Sequence, residues 1–192
     1  MSLYNMSRKN KEQIVRDMLM AIGENPNRQG LKNTPKRITR MWEEIFSGYD
    51  KKNKPSITVF PNKTDGVEYN QMIIDTGYFY SHCEHHGVPF FGKYYFAYIP
   101  NKKIMGLSKV SRTIDYFSSR LQIQERLVKD VVDEIEKVVQ PKGVALVMKA
   151  RHLCKEMRGV KKIDGEMTTS DVRGAFRKNA LTRNEFMSLI GL

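Results

Sequence analysis

The sequence predicts an α+β fold behind a helical N-terminal arm, and three observations carry that reading. Residues 67–74 and 90–99 are rich in β-branched and aromatic side chains, the composition of strands. From Ser108 the apolar residues switch to helical spacing, first Val110, Ile114, Phe117 and Leu121, then Leu127, Val131, Ile135, Val138 and Val139 in a second register. A third β-like run covers residues 144–154, after the helix stop Pro141-Lys142-Gly143. The body therefore reads as two strands, two consecutive helices bent near residues 122–125, a strand and one further strand.

The arm is justified by its own signals. Ile14, Val15, Met18, Leu19 and Ile22 repeat at helical spacing after Asn10, a candidate N-cap, and Gly23 offers a stop. Thr34 reads as an N-cap with Pro35 at the first helical position, and Ile38, Met41, Trp42, Ile45 and Phe46 share a face before Gly48. Residues 51–66, rich in Lys, Pro and Asn apart from a β-like run at 57–60, separate arm from body. The predicted division is 1–65 for arm and linker and 66–192 for the main domain. Met18, Met41, Met148 and Met157 read as core filler, as does Trp42. At the C-terminus, Thr182 with Glu185 forms a capping box that opens a short helix.

Composition bounds the function classes. The chain has 192 residues, and 33 Lys plus Arg against 21 Asp plus Glu give a formal charge of +12. Hydrophobic residues at 40% supply enough apolar material for a packed core, which excludes a disordered tail protein. No apolar stretch approaches the roughly 18–20 residues that cross a bilayer. Arg8, Lys9 and Lys11 are followed by Glu12, Arg16 and Asp17 rather than an apolar segment, so no secretory signal is read and a cytoplasmic protein is expected. The positive charge attracts polyanions but does not choose among nucleic acid, acidic membrane and nucleotide phosphates. There is no G-x-x-x-x-G-K-[ST] loop, so any phosphate must be held by cationic side chains.

The chemistry concentrates at two places. All four histidines, His82, His85, His86 and His152, lie within three residues of one of the two cysteines, Cys83 and Cys154. Cys83-Glu84-His85-His86 offers C-x-x-H spacing, which lets one tight turn aim a thiol and an imidazole at a single ion. In a strand, Val144, Leu146, Met148, Ala150, His152 and Cys154 share one face, so an apolar face ends in two reactive groups. Two cysteines and one histidine suit zinc with three protein ligands, leaving a fourth position for water. Zinc lowers the pKa of a bound water from about 15.7 towards about 7, which suits hydrolysis, and the remaining imidazoles suit proton transfer. Two alternatives stay open: core cysteines with hydrogen-bonded histidines, and a structural zinc with His85 or His152 as fourth ligand.

Three further stretches occur in order with the first cluster: Gly106-Leu107-Ser108-Lys109 with Arg112, Gln122-Ile123-Gln124-Glu125-Arg126, and His152-Leu153-Cys154 with Arg158-Gly159. Together they resemble the GTP cyclohydrolase I family, over about residues 35–190. The resemblance implies the tunnelling fold, an antiparallel β-sheet with two consecutive helices packed on one face. It implies hydrolysis of GTP at C8, release of formate and rearrangement to 7,8-dihydroneopterin triphosphate, the first step of folate and pterin biosynthesis. Cys83, His86 and Cys154 are the implied zinc (Zn2+) ligands. His85 would protonate the imidazole ring of the base, and His152 would shuttle protons. Glu125, with Gln124 beside it, would recognise guanine, and Ser108, Lys109, Arg112 and Arg158 would hold the ribose and triphosphate. The expected assembly is a homodecamer of two pentameric rings with intersubunit active sites, with no nucleic-acid or membrane partner. His82 and Arg40 receive no role.

Two rival classes remain at this point. One is a related tunnelling-fold enzyme acting on another pterin or deazapurine, against which the set Cys83, His86 and Cys154 weighs. The other is a basic, zinc-stapled module that binds nucleic acid with steep salt dependence and leaves GTP unchanged.

Overall fold

The computed structural model describes residues 6–191; the first five residues of the expected arm and Leu192 of the expected catalytic domain lie outside the described residues. The arm consists of α1 (Arg8–Ala21) and α2 (Thr34–Ile45), packed on each other. Ser7, not Asn10, caps α1, its hydroxyl accepting from the Asn10 backbone N–H. Only Val15 and Leu19 of the α1 face are buried, while Ile14, Met18 and Ile22 stay exposed, as does Met41 on α2. Trp42 is half-buried within the arm rather than in the main core. Two 3-10 turns, Ser47–Tyr49 and Lys51–Asn53, then lead into the body. Gly48 makes that junction possible: its N–H donates to Ser119 O at 3.0 Å and its carbonyl accepts from Arg120 Nε at 2.8 Å. A Cβ there would lie 2.1 Å from Tyr116 O, so only glycine lets the chains approach this closely.

A short ribbon pairs β1 (Val59–Pro61) antiparallel with β4 (Lys103–Met105). The main sheet contains β2 (Ile73–Cys83), β3 (Pro89–Ile99), β5 (Leu121–Gln122), β6 (Gly143–His152) and β7 (Glu166–Gly174). Their order is β5-β2-β3-β6-β7, antiparallel throughout except for the parallel β2–β5 contact. The helices α3 (Lys109–Ser118) and α4 (Gln124–Val139) pack on one face of this sheet. The mixed α+β class and the paired helices are as the sequence indicates; β4 and β5 are too short to carry a pattern. The opposite face is partly covered by a turn, α6 (Ala175–Lys178), and by α7 (Ala180–Leu189), through Phe176 and Phe186. Among the described residues no helix is long and apolar enough to cross a membrane.

Boundaries differ from the sequence reading at β2, at β6, at the last helix and at α3, which stops at Ser118 and leaves Leu121 to β5. Residues 67–72 precede the strand because the Asn62 side chain takes over the backbone pairing of Tyr69: Asn62 Nδ2 donates to Tyr69 O at 2.8 Å and Asn62 Oδ1 accepts from Tyr69 N–H at 2.9 Å. Strand β2 instead continues through Ser81, His82 and Cys83. Strand β6 ends at His152, paired with Phe90, since the next ladder position belongs to Pro89, which has no N–H to donate. Cys154 therefore sits on a helical turn, α5 (Leu153–Glu156), not on the strand face. The Thr182–Glu185 box gives way to Asn179, whose side chain accepts from Leu181 N–H at 2.9 Å.

The core follows from alternation and helical spacing. Val144, Leu146, Met148 and Ala150 face α3 and α4, and Ala145 and Val147 face α6 and α7. Strand β6 is thus apolar on both faces, as a central strand must be. Helix α4 buries Leu127, Val131 and Ile135 completely, each worth about 1.5–3 kcal/mol. These contacts fix the end of β2 and the end of β6 on either side of the start of β3.

Candidate metal centre

Cys83 closes β2, and residues 84–87 turn the chain back into β3. Cys83 N–H donates to Val88 O at 2.9 Å and Gly87 N–H to Cys83 O at 2.8 Å. Gly87 adopts φ +67°, a conformation that favours glycine. The turn is braced from outside. Glu84 N–H donates to Gln122 O at 3.0 Å, the Glu84 carboxylate accepts from Arg126, and Arg126 Nε donates to Gln122 Oε1 at 2.8 Å. Glu84, Gln122 and Arg126 all stand inside stretches that the sequence singles out, but no local pattern assigns them this bracing role.

Within this turn Cys83 Sγ lies 3.7 Å from His85 Nδ1 and 3.9 Å from His86 Nδ1. The turn α5 brings Cys154 in from β6. One ligand atom from each of Cys83, His86 and Cys154 lies within 4.8 Å of the others. Among the described residues neither His85 nor His152 joins this group, which disfavours a saturated structural site. The donor set fits a tetrahedral cation: Zn–S near 2.3 Å and Zn–N near 2.0–2.1 Å give ligand–ligand edges of roughly 3.5–3.8 Å. Burial, and then the neighbouring Cys83, push the Cys154 thiol up, with Arg158 opposing. Two adjacent thiols of this kind ionise together only when a cation compensates them.

His152 ends β6 beside this group. Its ring stacks on Phe90 at 4.7 Å between centroids and 4° between planes, and its Nε2 lies 2.8 Å from Gln124 Oε1. Burial pushes its pKa down, and Glu125 opposes the shift. Glu125 is exposed in the first turn of α4. Gln124, expected beside the base, is only 1% exposed, and its amide is taken up by Met148 O, Met167 O and His152. No local pattern assigns Phe90 this role, because an aromatic residue in a strand reads as core until its partner across the ladder is known.

The remaining expected residues spread outward. Ser108 precedes α3, Lys109 opens it, and Arg112 borders a cavity of about 320 Å³ with Ser47, Asn53, Asp115, Tyr116 and Ser119. Among the described residues no hydrogen bond or ion pair joins the Ser108, Lys109 or Arg112 side chains to the Cys–His group. Arg158 is exposed beyond α5. His82 alternates away from Cys83 on β2 and packs edge-on against Phe46 at 5.3 Å, with burial pushing its pKa down. Arg40 is exposed on α2.

Comparison with known proteins decides the family. The family model described as GTP cyclohydrolase I matches residues 11–191. The chain belongs to the GTP cyclohydrolase I family. Relatives named GTP cyclohydrolase 1 include one from Sulfurihydrogenibium sp., 48% identical over 184 residues, covering 95% of each chain. One from Campylobacter jejuni subsp. jejuni is 47% identical over 182 residues, 93% of each chain. One from Deinococcus radiodurans is 44% identical over 181 residues, covering 94% of this chain and 83% of the relative. Among solved structures, the apo form of the archaeosine synthase QueF-Like aligns with a TM-score of 0.46 and 16% identity, over 54% of this chain and 93% of that one.

Proposed function

We propose that this member of the GTP cyclohydrolase I family hydrolyses GTP at C8, releases formate and yields 7,8-dihydroneopterin triphosphate. The observation that carries this reading is the convergence of Cys83, His86 and Cys154 within 4.8 Å, beside the imidazoles of His85 and His152. Zinc held by these three residues would supply the Lewis acidity that makes water a nucleophile at neutral pH. His85, exposed next to Cys83, would protonate the purine imidazole ring, and His152 would carry protons during ring opening and rearrangement. Glu125 would accept from guanine N1 and the amino group, which adenine cannot satisfy. Ser108, Lys109, Arg112 and Arg158 would hold ribose and triphosphate by charge-assisted hydrogen bonds.

The tunnelling fold, a cytoplasmic location and a decamer with sites between subunits belong to the same proposal. The last is supported by large apolar side chains left exposed around the phosphate-binding candidates: Leu107 at 74% beside Ser108, and Ile163 at 73%, with Met157 and Val160, around Arg158. The arm and catalytic domain remain divided near residue 65 in this proposal, with residues 59–61 tied to the body through the β1–β4 ribbon. No nucleic-acid or membrane partner is included. The test is incubation of zinc-loaded protein with GTP: formate and, after oxidation, a fluorescent pterin appear, and a chelator abolishes both. Tight, salt-sensitive oligonucleotide binding with GTP unchanged would sink the proposal in favour of a nucleic-acid module.

A further inference from the structure

We propose that Gln124 is a positioning residue: it holds His152 as the Nε2–H tautomer, so that Nδ1 is the atom through which His152 exchanges protons with substrate. The argument starts from the amide. Gln124 opens α4, and its side chain reaches the sheet, where Nε2 donates to Met148 O of β6 at 2.9 Å and to Met167 O of β7 at 3.0 Å. Both amide hydrogens are thereby committed. The reversed amide would set Oε1 against two carbonyl oxygens and forfeit both bonds where the residue is 1% exposed and water cannot substitute. Oε1 must therefore face His152, at 2.8 Å from Nε2. A carbonyl oxygen only accepts, so Nε2 carries the hydrogen and the neutral ring keeps its lone pair on Nδ1. The Phe90 stack fixes the ring plane at the same time.

The residue type follows from this task. The position needs two donors and one acceptor on one planar group of this length, which glutamate, methionine and leucine cannot supply. The hydrogen bond from Nε2 is also kept whether or not Nδ1 is protonated, so the ring stays in place through a proton-transfer cycle. Gln124 thus acts on the substrate only through His152, in place of the direct guanine contact that the family resemblance implies.

The kinetic arm of the test rests on the proposed GTP reaction, whereas the spectroscopic arm does not. The zinc-loaded protein, labelled with ¹⁵N-histidine, has four histidines, and His152 is assigned by the signal that His152→Gln removes. The wild-type spectrum is expected to show a protonated, pyrrole-type Nε2 and a pyridine-type Nδ1. A reversed or averaged pattern overturns the proposal without any variant at position 124. Gln124→Met is expected to give an averaged pattern and to lower kcat about 10- to 100-fold, on the scale of removing the partner that orients a metal-ligating histidine, with KM for GTP held within about 3-fold. A raised KM with kcat unchanged would instead make Gln124 a guanine contact and overturn the proposal. A wild-type chain that releases no formate would overturn the functional reading, while a one-sided His152 spectrum would still uphold the tautomer lock.

Discussion

Gly92→Ala tests whether the close approach of β3 to β6 is what places His152 and Cys154. Gly92 pairs with Ala150, and a Cβ at position 92 would lie 1.8 Å from Lys149 O, 2.7 Å from Ala150 Cα and 2.8 Å from Lys149 C. All three are backbone atoms, so no side chain can swing aside. Bringing the nearest contact to 3.0 Å requires the strands to separate by at least 3.0 − 1.8 = 1.2 Å. The Phe90–His152 pair lies two residues away on the same ladder, and Cys154 two residues beyond that. Forcing an extra carbon into a packed core costs about 1–3 kcal/mol, and a weakened ladder bond adds roughly 0.5–1.5 kcal/mol. A loss of about 1.5–4.5 kcal/mol is therefore expected in urea unfolding. A misplacement of about 1 Å at the reacting groups is worth about 100-fold in turnover, read as formate release. Gly77→Ala is the control, because the three atoms nearest its Cβ would all belong to the Tyr94 side chain, at 2.7–2.8 Å, rather than to backbone, and a smaller effect is expected. A Gly92→Ala chain with wild-type stability and turnover would refute the reasoning.

Cys154→Ser replaces the proposed thiolate ligand by a hydroxyl that stays protonated at neutral pH. Bound zinc should fall well below one per chain and formate release by about 100-fold or more, and undiminished turnover would contradict the ligand assignment. Glu125→Gln removes a charge-assisted acceptor worth about 1.5–3 kcal/mol, so kcat/KM for GTP should drop about 10- to 150-fold; unchanged discrimination between GTP and ATP would exclude Glu125 as the guanine reader. Arg151 donates to Glu156 at 2.9 and 2.6 Å and holds its carboxyl below the usual range. A depressed carboxylate stabilises the fold above its unfolded pKa and loses that contribution as pH falls through the folded value. Glu156→Gln should therefore unfold more easily than wild type at neutral pH, with the gap closing in acid; a gap that widens in acid would contradict this ion pair's role.

Legibility in the sequence followed the range of the interaction. The face Val144, Leu146, Met148 and Ala150 was readable because alternation is local, and α4 because its apolar residues keep one spacing over four turns. The end of β6 was not readable, because Pro89 on a different strand sets it. The same holds for α1, whose exposed Ile14, Met18 and Ile22 give a helix signal without a core to match. At the candidate metal centre, clustering of every Cys and His points to the two cysteines and one histidine, and the family resemblance names His86, while the turn that carries them is braced by residues whose partners are distant in sequence. Gln124 is the clearest case: beside Glu125 it reads as a polar surface neighbour, and only Met148, Met167 and His152 reveal its work.

The central claim, that Cys83, His86 and Cys154 hold the cation that lets this chain open the guanine ring, is tested most directly by stoichiometry. Metal-stripped protein is titrated with zinc while formate release from GTP labelled at C8 is followed. The account predicts no release at the start, a linear rise, and a break at one equivalent of zinc per chain that Cys83→Ser, His86→Ala and Cys154→Ser each abolish. Full release from the metal-stripped chain, or an undisturbed break in any of the three variants, would contradict it.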